Sequence, residues 1–199
     1  MKILLVFILI VIVVLAIVFT SFQKVSKKNN LQNESSVPNN GEPKKNIFND
    51  LRNRAFNMTP SQLGLGLVSA NDVYAVIMDW DLKHGIMTLV SYQTGDASIY
   101  LSGGGGYIGG GQQENVKKAA KIFVHNAQSF ISKAVLNNLH PLPDKNCVRF
   151  YLMTTAGVFT SQVEMKHIED NSSEWLPLFI DANNVISEYR KVTENKITH

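Results

Sequence analysis

Two stretches and a few scattered side chains carry residue types that could do chemistry. In Asp79-Trp80-Asp81 two carboxylates stand at i and i+2, on one face if the chain is extended, with His84 close behind. Oxygens so placed can hold a hard cation. The plainer reading is a polar hairpin end, in which Asp81 opens a turn and His84 precedes Gly85. Ser98, Ser102 and Cys147 are the nucleophile candidates, and none has a base at a diagnostic spacing. Cys147 is the only cysteine, which excludes an intrachain disulfide or a cysteine metal cluster. It opens an apolar strand and reads as a small buried core residue. The histidines at 84, 125, 140, 167 and 199 form neither H-E-x-x-H nor H-x-H. No catalytic residue, metal or cofactor is assigned.

The second stretch is a glycine run, Gly103, Gly104, Gly105, Gly106, Tyr107, Ile108, Gly109, Gly110 and Gly111, directly after Ser102. It formally contains G-x-G-x-x-G, but so glycine-rich a run matches many spacings. The acidic residue that a dinucleotide fingerprint needs about 20 residues on would fall inside a helix. Gln112 follows Gly111, so there is no G-K-[ST], and Tyr100 rules out a G-x-S-x-G elbow at Ser102. Lys117, Lys118 and Lys121 lie just beyond, early in a helix, where the macrodipole disfavours cations by about 0.3–1 kcal/mol each. Glycine N–H groups beside a helix N-terminus and three lysines would suit an anion. The plainer reading is a flexible connector and a solvated flank. Tyr107 and Ile108, the only large apolar residues of the run, would anchor a protein partner or touch the membrane surface if exposed, and would cap the core if folded back.

The elements that must position these residues follow from periodicity. Val116, Ala120, Phe123, Ala127, Phe130 or Ile131, and Ala134 recur every three or four residues and predict one long amphipathic helix over Gln112–Asn137. His140-Pro141-Leu142-Pro143 ends it. Val73–Trp80 is apolar on both faces and predicts a central strand; Ile86–Tyr92 and Ala97–Leu101 follow through short turns, an antiparallel meander. Val148–Met153 and Val158–Val163 predict a second hairpin. Helices are expected at Ile47–Asn57 and at Trp175–Val192, the latter interrupted at Asn183-Asn184, with a capping box at Thr59-Pro60-Ser61-Gln62. The reading is α+β: one five-stranded antiparallel sheet, with the long helix and the C-terminal helix packed on it. This order resembles profilin-like and roadblock-like domains. The resemblance is topological, rests on no sequence motif and implies little about chemistry.

Charge and hydropathy divide the chain. Ile3–Phe19 is an unbroken apolar run, within the ~17–25 residues that cross a bilayer. No A-x-A site follows it. Residues 1–22 are therefore expected to be an uncleaved transmembrane anchor, with a lean towards an extracytoplasmic domain. Residues 23–46, rich in Asn, Lys, Ser and Pro, are expected to be a disordered linker, and residues 47–199 one globular domain. Residues 1–46 carry six basic and two acidic side chains, leaving the domain thirteen basic against fourteen acidic, a net −1. That balance excludes the basic excess of a nucleic-acid binder. The expected function is a membrane-tethered, non-catalytic binding module with a protein partner. The alternative is an anion- or nucleotide-binding protein, or an enzyme, using Ser102, the glycine run and Lys117, Lys118 and Lys121.

Overall fold

The sheet is antiparallel throughout and has seven strands in the order β4-β3-β2-β1-β6-β7-β5. In this computed structural model residues 47–197 are described. Helix α1 (Ile47–Phe56) precedes β1 (Ala75–Leu82), β2 (Gly85–Tyr92), β3 (Ala97–Leu101) and a short β4 (Gly106–Ile108). Helix α2 (Glu114–Ala127) then leads through a 3-10 segment (Gln128–Lys133) into β5 (Val135–Leu136). The chain closes with β6 (Cys147–Thr154), β7 (Gly157–Glu164), α3 (Met165–Glu169) and α4 (Leu176–Ile197). The residues from Ile47 onward form one compact unit.

The α+β class with one antiparallel sheet matches expectation; five strands does not. The two additional strands are the shortest. Gly106–Ile108 pairs with β3, Tyr107 opposite Ile99. Val135–Leu136 pairs with β7, Val135 opposite Thr160. The long helix over Gln112–Asn137 is corrected for the same reason. Its α-helical part stops at Ala127 because Gln128 turns to the sheet: its Oε1 accepts the Val73 N–H (2.8 Å) and its Nε2 donates to Asn71 O (3.1 Å). The expected break at Asn183-Asn184 is also absent. Asn183 Nδ2 donates to Phe179 O one turn back (2.8 Å), so α4 runs on. Thr59 and Gln62 exchange the reciprocal bonds of a capping box, which here closes only a turn.

The expected anchor (1–22) and linker (23–46) lie outside the described residues. Among the described residues no helix is long and apolar enough to cross a membrane. Helix α4 has the length, but it carries Asp181, Glu188, Arg190, Lys191 and Glu194, each costly at bilayer depth. The transmembrane signal-anchor, the membrane as a partner and the single-pass extracytoplasmic location are corrected accordingly.

Two layers cover the sheet. On one face Val116, Ala120, Phe123, Val124 and Ala127 of α2 are buried with Leu178, Phe179, Ala182 and Val185 of α4. Trp80 meets Phe179 edge-on with ring centroids 5.0 Å apart, and Trp175 stacks on Phe150 at 5.4 Å. On the other face α1 presses Phe48, Ala55 and Phe56 onto Ala75, Ile77, Val90, Tyr151 and Met153. Central strand β1 is buried from both sides, as the apolar run Ala75–Met78 requires.

Candidate functional site

Register aligns one transverse row on the α1 face. Tyr100 stands opposite Thr88, Thr88 opposite Asp79, Asp79 opposite Arg149 and Arg149 opposite Gln162. Asp79 is thus a carboxylate at the middle of a sheet, 0% exposed. A charge there must be paired, and the partner comes from α1. Arg52 donates from Nε (2.8 Å) and Nη2 (2.5 Å) to Asp79 Oδ2, while Thr88 Oγ1 donates to Oδ1 (2.5 Å). Burial pushes the Asp79 carboxyl up, and the bonds from Arg52 and Thr88 pull it back. Protonating it would strand the Arg52 guanidinium, itself buried, so the pair stays ionised.

Aromatic rings enclose this pair. Arg52 lies over the Phe56 ring at 4.7 Å and over Tyr151 at 5.6 Å. Its Nη2 donates to the Tyr151 hydroxyl (3.2 Å), which in turn donates to Pro141 O. Burial holds that hydroxyl far above the usual tyrosine range, so it stays neutral. His140 stacks on Phe56 with ring centroids 3.9 Å apart and planes 5° from parallel. Sequence reading placed Asp79 with Asp81 and His84 and missed Arg52, because 27 residues separate the two. The available signal was a carboxylate inside a strand apolar on both faces. Asp81 instead accepts the Asn146 N–H at Oδ2 (2.8 Å), and His84 sits exposed in the β1–β2 turn. Among the described residues no three His, Cys, Asp or Glu side chains group to hold a metal.

The glycine run is a hairpin and a crossing point. Gly104, Gly105 and Gly106 take positive φ (99°, 85° and 151°) to turn β3 into β4. A Cβ at Gly106 would overlap Ile99 O, at Gly110 the Tyr189 hydroxyl, and at Gly111 the Asp96 carboxylate. Tyr107 folds back and stacks on Tyr189 at 5.6 Å, whereas Ile108 points outward, 71% exposed. The Asp96 carboxylate therefore already lies against Gly111, ahead of the α2 N-terminus. Lys117 and Lys121 lay their methylenes along Gly95 of the β2–β3 turn; Lys118 is exposed. Gln113 precedes α2 without a side-chain cap bond.

The nucleophile candidates are engaged in structure. Ser102 Oγ accepts the Ile86 N–H (2.8 Å) at the open end of the β2–β3 hairpin. Ser98 is buried beside Tyr100. Cys147 is buried, and burial pushes its thiol up, away from the reactive thiolate.

A further surface was legible only as a helix ending. Val135 (70% exposed), Leu136 (54%), Leu139 (75%) and Leu142 (42%) turn outward within one short stretch at the β5 edge. No protein-family model, curated protein or solved structure matches this chain.

Proposed function

We propose that the domain from Ile47 is a non-catalytic interaction module that presents its β5 edge, and the chain after it, to an extended apolar segment of a protein partner. The observation that supports this reading is the run of outward apolar side chains from Val135 to Leu142. Val135 and Leu136 form an edge strand only two residues long, and Leu139 and Leu142 follow it. Edge backbone and alternate apolar side chains are what strand addition uses. Scattered single apolar residues would need no explanation; four within one short stretch at a sheet edge do.

The test is affinity capture with the full-length protein. Leu136→Asp together with Leu139→Asp should abolish capture and shift Tm by less than about 3 °C, since both side chains are already solvated. Capture that survives the double substitution would sink the reading. A parallel phosphate titration, followed by NMR at the amides from Gly103 to Gln113, separates it from anion binding at the glycine hairpin. Shifts there before elsewhere would favour the anion.

A further inference from the structure

The segment from Asn137 to Pro143 is attached in an unusual way. Proline at 141 and 143 removes two backbone donors. One end is tied to β7, with Asn137 N donating to Val158 O (2.8 Å) and Val158 N to Asn138 Oδ1 (3.2 Å). The other end is tied by Asp144 N and Gln162 Nε2, which exchange bonds with Gln162 Oε1 (3.0 Å) and Asp144 Oδ2 (2.8 Å). Between these ends Leu139 N bonds only within the segment, to Asn137 Oδ1 (2.9 Å). The middle is held down by the Tyr151 hydroxyl on Pro141 O and by the stack of His140 on Phe56.

That stack is sensitive to charge. His140 Nε2 is buried without a hydrogen-bond partner. A neutral ring tolerates this with Nε2 unprotonated; an imidazolium must bury an N–H with no acceptor. The groups facing the ring are Arg52 from α1, Asp79 from β1 and Tyr151 from β6. Tyr151 is neutral, and Asp79 is already committed to Arg52. Arg149 and Asp144 stand further along, joined through Gln162. An added charge at His140 therefore meets the Arg52 cation, which lies over the same Phe56 ring.

We propose that Asn137–Pro143 is a pH-released strap: protonation of His140 lifts its middle off α1 and uncovers Phe56, Tyr151 and the Arg52–Asp79 pair. Burial first, and Arg52 second, hold the imidazole below its ordinary value near 6.5. The closed form binds fewer protons than the open one. Its stability is complete above the ordinary imidazole value and falls as pH drops below it, levelling off beneath the depressed value. The limiting slope is tenfold in the open population per pH unit. The ring is half-buried, so the dependence is shallower than this limit. The strap goes beyond the partner surface proposed above and does not require it.

The test is an NMR titration of full-length protein from pH 7.5 to 5. The His140 ring signal should titrate below 6.5, and the Leu139 and Leu142 methyl signals should move with the same midpoint. Exchange protection of the Leu139 amide, corrected for intrinsic pH dependence, should fall several-fold while the Val76 and Leu89 amides keep theirs. His140→Phe retains the stack and should abolish the pH dependence. A His140 midpoint at or above 6.5, methyl signals that do not follow it, or the same loss of protection in His140→Phe would each overturn the proposal. Should His140→Phe not fold, the wild-type midpoint and methyl signals decide alone.

Discussion

The two faces of the sheet are built on opposite principles although the same strands supply both. The face under α2 and α4 is apolar and aromatic, with Phe123 and Leu178 wholly buried. The face under α1 centres on an ion pair, with Arg52, Asp79 and Thr88 buried among tyrosines. An apolar face tolerates exchange of one hydrocarbon for another, because dispersion and transfer energies vary smoothly with volume. A face built on a buried pair tolerates almost none, because losing either member strands the other.

The largest expected effect tests that asymmetry directly. Asp79→Asn barely changes shape but leaves Arg52 charged and unpaired, and should cost about 3–5 kcal/mol in denaturant unfolding. Arg52→Met combined with Asp79→Leu should cost much less than the single change. A double variant as unstable as Asp79→Asn would show that the pair contributes more than charge balance. A smaller loss, about 1–3 kcal/mol, is expected from Gly110→Ala, whose methyl overlaps Tyr189 on the opposite face. Gly103→Ala, in open space, is its control and should fall within ~0.5 kcal/mol of wild type. Within the apolar core, Leu178→Met, a volume-conserving swap under α4, should cost less than about 1.5 kcal/mol. A loss approaching that of Asp79→Asn would mean the apolar face is no more tolerant than its partner.

Legibility in the sequence follows the same division. Strands β1, β2, β3, β6 and β7 announce themselves as apolar runs between turn residues, and the apolar stripe of α2 fixes its buried face. Strand β4 was hidden because Gly-Tyr-Ile carries no strand pattern, and it exists only because β3 offers it an edge. Strand β5 was hidden because Val135-Leu136 continues a helical spacing. What ended that helix was Gln128, whose bonds go to residues more than 50 positions away. The α1 face could be read in part, since Asp79 in a doubly buried strand demands a cation. Which cation answers is set by the docking of α1, which no local pattern encodes. Of the glycine run, the turn was foreseeable from composition. The close approaches of Tyr189 and Asp96 to Gly110 and Gly111 were not, because both partners are distant in the chain.

The position of β1 has a consequence for synthesis. It lies at the centre of the sheet, between β2 and β6, yet β6 is made only after α2 and the proline segment. A growing chain can zip β1 to β4 as a meander while the other edge of β1 stays unpaired. That edge borders Val76, Ile77 and Met78, fully buried in the finished domain. Until Cys147–Thr154 emerges, the nascent chain therefore presents an open, apolar strand edge of the kind on which chains aggregate. The last hairpin is thus the step that ends this exposure, and C-terminal truncations before Thr154 are expected to be insoluble rather than merely loose, which fractionating the truncated chains would check.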